Sequence, residues 1–159
     1  VRFGIGLNTG LAQVGNTGSQ RKPQYGPLGG TVNLASRVQG ATKYLKARLV
    51  ITEATRARLD DSFAVRRLCK VRVVNIAEPV NLYELAPAKQ PGWDSLKARY
   101  EQALADFENA DFRAAVSILG GLVKDYPEDG PTLVLNARAA TALNQESTTF
   151  DAVWELPGK

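Results

Sequence analysis

The 159-residue sequence contains no histidine, a single cysteine (Cys69) and no uninterrupted apolar run of the roughly 18 residues that a membrane-spanning helix needs. Without histidine, a Ser-His-Asp or Cys-His centre is excluded, as is every zinc site that uses an imidazole. One cysteine excludes an internal disulfide framework and a four-cysteine metal site. The opening residues Val1-Arg2-Phe3-Gly4-Ile5 have neither a methionine nor the basic-then-apolar layout of a signal segment. They read directly as a strand, so the expectation is a soluble, cytoplasmic region cut from a chain that continues before Val1.

What is present is ordinary globular composition, 44% hydrophobic and 23% charged with a formal net charge of +4, enough for one or two small cores. The charge is uneven. Residues 1 to 88 hold 13 Lys/Arg against 5 Asp/Glu, and residues 89 to 159 hold 7 against 11. A basic first unit suits a polyanion such as nucleic acid or a nucleoside triphosphate, and it equally suits a solvated basic surface. The seam is the Pro/Gly-punctuated stretch Ala86-Pro87-Ala88-Lys89-Gln90-Pro91-Gly92. The domain reading is therefore 1–86, a linker at 87–93, helices over 94–144 and a tail at 145–159.

In the first unit, Val1 to Asn8 predicts a strand, Thr9-Gly10 a tight turn, and Leu11 to Gly15 the returning strand of a hairpin. The loop from Asn16 to Gln24 carries the adjacent cations Arg21 and Lys22 but no Gly-Lys-Ser/Thr ending, so the P-loop pattern fails. Thr31 to Gln39 predicts a helix stopped by Gly40, with Leu34 and Val38 on one face. Asn33 and Arg37, also four apart, set an amide and a guanidinium on a common face, while Ala35 and Ser36 keep the helix slim. Strands follow at 48–52, 63–68, 70–74 and 80–85, with a short helix at 53–59 capped by Thr52. This order is α+β and does not alternate regularly enough for a doubly wound sheet.

The second unit is helical. Leu96, Tyr100, Ala103, Leu104 and Phe107 repeat at helical spacing, as do Phe112, Ala115, Val116, Leu119, Leu122 and Val123, with Asn109-Ala110-Asp111 between. Pro127 ends the second helix, and Gly130-Pro131-Thr132 opens a third. Gly120-Gly121 predicts a kink or fraying, since each glycine costs about 1 kcal/mol relative to alanine in a helix. The segment Phe150 to Leu156 offers a short aromatic anchor or a loose terminus.

The run Tyr25-Gly26-Pro27-Leu28-Gly29-Gly30-Thr31-Val32-Asn33-Leu34-Ala35-Ser36-Arg37 resembles the signature of the class III nucleotidyl cyclases, the adenylate and guanylate cyclase catalytic domain. Gly4 to Gly10, Val14-Gly15, Ile51 to Thr55 and Glu78 to Leu85 are similar to that family's blocks in the same order. The resemblance covers residues 1 to 86 and implies the C-terminal half of a ferredoxin-like α+β domain. Two such domains form a homodimer with active sites at its interface. It implies conversion of ATP to 3′,5′-cyclic AMP and pyrophosphate, with Arg37 stabilising phosphate charge and Asn33 orienting the ribose. Arg21, with Lys22 beside it, matches a triphosphate-contacting position, and Gly26 occupies a base-reading position without a side chain to read with. Magnesium or manganese is implied, on aspartates that would precede Val1.

Ile76 stands where many members carry a lysine. Among the carboxylates of residues 1 to 88, Asp60-Asp61 reads as a solvated helix exit, not a metal site, and Cys69 as a packed residue without a base to activate it. Residues 94 to 144 resemble a tetratricopeptide repeat, with Ala103, Asp111-Phe112, Ala115 and Pro127 at its offsets. One repeat cannot cover its own face and must pack on the first unit, a dimer mate or a protein partner. A guanylate cyclase, and a catalytically silent module whose helices bind partners, are the alternative readings. No nucleic-acid partner is expected.

Overall fold

The computed structural model describes residues 3–18, 24–86, 90–145 and 149–155. Its frame is a mixed five-stranded sheet built from β1 (Ile5–Leu7), β4 (Leu49–Thr52), β6 (Val80–Ala86), β5 (Ala64–Arg72) and β7 (Trp154–Glu155), in that spatial order. Strands β1 and β4 run parallel, joined by the helix α1 (Gly30–Leu45) as a crossover, and β6 is antiparallel to both β4 and β5. The first strand therefore does not turn back on the second, as the Thr9-Gly10 turn suggested. The hairpin instead joins β2 (Gln13–Thr17) to β3 (Gln24–Leu28), a separate two-stranded ribbon preceding α1.

Helix α1 runs through Gly40 and ends only at Leu45, where Lys46 turns left-handed at φ 52°. The reason is visible in its spacing. Val38, Ala41, Thr42 and Leu45 are all buried on one face, so packing past Gly40 outweighs the helix penalty of one glycine. The same logic carries α4 (Phe112–Asp125) straight through Gly120-Gly121, between the fully buried Leu119 and Leu122.

Closeness between α1 and β1 comes from the strand. A Cβ on Gly6 would collide with the backbone nitrogen of Gln39, and one on Gly4 with the hydroxyl of Thr42. The small residues Ala35 and Ser36 of the helix are not where the two backbones meet. Strand β5 is one element, not two: its pairing slips by a residue between Arg67 and Cys69, a bulge that lets Leu68 and Cys69 both be buried. Asn75, at φ 67°, makes the turn that follows. Thr52 caps the short α2 (Glu53–Arg56), as its sequence indicates.

The helices α3 (Trp93–Glu108), α4 and α5 (Gly130–Asn144) share one hydrophobic core with the sheet, including Leu68 and Val71 of β5 with Tyr100, Leu104 and Phe107 of α3. The Tyr100 hydroxyl donates to the Leu68 carbonyl at 3.0 Å. At the end of the chain, Phe150 stacks edge-on against Phe107 and Phe112, and Trp154 pairs beside Val71 as β7. The aromatic segment docks on the edge of the sheet. No helix among the described residues is long and apolar enough to cross a membrane.

Candidate functional site

The first turns of α1 carry the candidate site, and a polar network at the end of β1 fixes them. Asn8 donates its amide to the Thr31 carbonyl at 3.0 Å and accepts from the Thr52 hydroxyl at 2.8 Å. The Thr31 hydroxyl donates to the Leu11 carbonyl, and the Thr9 and Thr55 hydroxyls lie 3.0 Å apart. One amide thus ties the start of α1 to the strand ends on which it rests. These residues were not singled out as site residues from sequence, where Thr9 reads as a turn and Thr52 as a cap. The signal was a polar pair, Asn8-Thr9, ending an apolar strand.

Two residues after Thr31, Asn33 is exposed, and one helical turn further Arg37 is half-buried on the same face. The Asn33 backbone N–H closes the first turn on the Gly29 carbonyl at 3.1 Å. Among the described residues, neither side chain is held by a hydrogen bond or an ion pair, so both amide and guanidinium are available to a ligand. Arg37 borders a cavity of about 950 Å³ whose wall also includes Lys43, Arg48 and Arg72. Lys46 adds a further cation and Glu128 a carboxylate, and Arg72 is already paired with Asp151 and Glu155, so the wall carries a net positive charge that suits the phosphates of an anionic ligand.

Gly26 lies in β3 opposite Gly15, with open space where a Cβ would stand. Arg21 and Lys22 lie outside the described residues. Ile76 is half-buried and packs against the core, so it is part of the fold and not a free loop position. Asp60 and Asp61 occupy an exposed turn. Asp60 accepts from the backbone and hydroxyl of Ser62, which holds its carboxyl below the usual carboxylate range, and Asp61 stands 4.0 Å from Arg56. Cys69 is buried, and desolvation pushes its thiol up to about 12, far from the thiolate a nucleophile requires. No group of three or more Cys, Asp or Glu side chains able to hold a metal occurs among the described residues. The described donor set therefore does not fit the divalent ion that the sequence resemblance implies.

Comparison with known proteins is consistent in direction. The family described as "Adenylate and Guanylate cyclase catalytic domain" matches residues 1–85. Over 141 residues, or 84% of this chain, the sequence is 29% identical to "Adenylate cyclase, terminal-differentiation specific" of Dictyostelium discoideum, and it is 31% identical over 84 residues, 53% of this chain, to "Adenylate cyclase 1" of Rhizobium meliloti. A crystal structure of an adenylyl cyclase from P. aeruginosa superposes with a TM-score of 0.46 at 28% identity, covering 54% of this chain and 42% of that one. The chain spans only 7% and 13% of the length of the two curated relatives. The alignment with the Dictyostelium protein is longer than the family segment, so it reaches into the helices.

Proposed function

The chain belongs to the adenylate and guanylate cyclase catalytic domain family, and on that premise we propose that residues 1–86 are the C-terminal half of the catalytic domain of an adenylate cyclase, which converts ATP to 3′,5′-cyclic AMP and pyrophosphate. The observation that carries the reading is the pair Asn33 and Arg37, one turn apart on α1 inside the matched segment and unengaged among the described residues, with Arg37 bordering the cationic wall. Adenylate is preferred to guanylate because the curated relatives at 29 to 32% identity are named adenylate cyclases. Gly26 offers no side chain to distinguish the bases.

In the reaction, the ribose 3′ hydroxyl gives up its proton to solvent and its oxygen bonds to the α-phosphorus, while the bond from that phosphorus to the bridging oxygen breaks and its electron pair leaves with pyrophosphate. Asn33 orients the ribose through its amide. Arg37 presents a forked set of donors to the phosphate oxygens as negative charge grows on them. Arg21 and Lys22 add charge for the triphosphate tail. Magnesium or manganese would supply Lewis-acid activation of the 3′ hydroxyl when bound, and the described residues offer no group of three or more Cys, Asp or Glu to hold it. The working unit is a ferredoxin-like domain acting as a homodimer in the cytoplasm. Its helices α3 to α5 are read as tetratricopeptide-like from the offsets of Ala103, Phe112, Ala115 and Pro127, with a protein as their partner.

The test is Arg37→Ala and Asn33→Ala in the full-length protein. Each is expected to lower turnover by roughly 10² to 10³ with little change in the Michaelis constant for ATP, the signature of a contact made in the transition state. Turnover within about twofold of the parent for Arg37→Ala would remove this helix face from the site.

A further inference from the structure

Helix α1 is held at both ends, and the two holds come from different parts of the chain. At its start the hold is Asn8, and further along Gly6 of β1 lets the strand pack against the Gln39 backbone. At its end the neighbour is the first residue of α5: a Cβ on Gly130 would collide with the Lys46 carbonyl and come within 2.6 Å of the Lys46 Cβ. Only glycine lets α5 begin against the turn that ends α1.

The position of Gly130 is itself fixed. The preceding Asp129 caps α5 by accepting from the Thr132 N–H at 3.1 Å, and it receives both guanidinium nitrogens of Arg66 at 2.9 and 2.6 Å. Arg66 also donates to Glu84 at 2.7 Å, its side chain is wholly buried, and it lies over the rings of Trp93 and Tyr100 at 5.5 and 4.8 Å. Sheet, α3 and the start of α5 therefore form one rigid corner, and the end of α1 abuts it. Arg37 lies nine residues before Lys46, about 13 Å along a continuous helix.

From this corner we propose that Gly130 is a positioning residue for Asn33 and Arg37: the helical extension sets the placement of α1 and hence of the two side chains on the nucleotide. The inference rests on the cyclase reading of those side chains. It assigns the helices a part in the active-site geometry of their own chain, besides any partner they bind. A misplacement of about 1 Å at reacting groups costs up to about 10²-fold in rate, so a wedge of one methyl group at Gly130 is large enough to register.

The experiment uses the full-length protein with Gly130→Ala, and with Ala139→Gly as a loosening of α5 away from the contact. Assays are run well below the melting temperature of every variant. Gly130→Ala is expected to lower turnover about 10- to 100-fold with the Michaelis constant for ATP within about twofold. Ala139→Gly should stay within about twofold of the parent in turnover. Equal turnover in Gly130→Ala and the parent overturns the proposal, as do losses that track melting temperature alone. Hydrogen exchange of the amides at 34–45 gives a readout independent of catalysis. Faster exchange there in Gly130→Ala than in Ala139→Gly supports the coupling, and equal exchange overturns it. A parent that forms no cyclic nucleotide refutes the cyclase reading instead, and the exchange comparison then judges the contact by itself.

Discussion

Asn8 ends β1 with an amide where the strand pattern calls for another apolar side chain, and its two partners lie 23 and 44 residues away. Asn8→Ala removes one acceptor of the Thr52 hydroxyl and one donor to the Thr31 carbonyl, a loss expected to cost about 1 kcal/mol in urea unfolding. Cys69 offers a test through pH. Burial raises its thiol from 9.0 to about 12, so between those values the unfolded chain loses a proton that the folded chain keeps. Stability should therefore fall as pH rises above 9, with a slope approaching about 1.4 kcal/mol per unit, and Cys69→Ala should abolish that component. Chemical denaturation at pH 8, 9 and 10 measures both. Asn33 and Arg37 were legible in the sequence because their relation is local, one helical turn. The Asn8 network was not, since nothing along the chain says which polar groups will meet across it.

Strand β5 places Arg66 where its neighbours Ala64, Val65 and Leu68 are core residues. A buried guanidinium survives because Glu84 and Asp129 satisfy it from two other elements. Burial raises the Glu84 carboxyl pKa and Arg66 opposes the rise. Arg66→Met would strand two largely buried carboxylates and is expected to cost about 3 to 5 kcal/mol in denaturant unfolding. Arg66→Lys should recover little, since one ammonium cannot serve both partners in a forked geometry. In sequence the segment reads as two strands, 63–68 and 70–74, and nothing local shows what pairs the charges of Arg66 and Arg67. Their partners, Asp129 for Arg66 and Glu108 for Arg67, lie 63 and 41 residues downstream, beyond any local pattern. The early stop assigned to α1 at Gly40 was avoidable, since the apolar spacing of Val38, Ala41 and Leu45 crosses that glycine. Ile76 likewise changes meaning once packed: Ile76→Lys is expected to destabilise the turn before β6 rather than simply add a phosphate contact.

At the scale of the molecule, one core spans the sheet and the three helices, yet β1 stands at the edge of the sheet with Phe3, Ile5 and Leu7 at 79, 51 and 42% exposure. Leu11, Val14 and Tyr25 extend the apolar surface onto the hairpin. An exposed edge strand with apolar side chains is a template for association. Residues 1 to 159 purified alone are therefore expected to self-associate with rising concentration, seen as a growing sedimentation coefficient, and Ile5→Lys should suppress it. The same chain should form no cyclic AMP or cyclic GMP with either magnesium or manganese. On the proposed reading Arg37 would stabilise charge only after the 3′ hydroxyl has been activated, and no group of three or more Cys, Asp or Glu side chains among the described residues could hold the ion that would do so. Product that vanishes in an Arg37→Ala version of the same chain would show that the metal ligands lie within it after all. Asp60→Asn and Asp61→Asn would then be the variants to assay first.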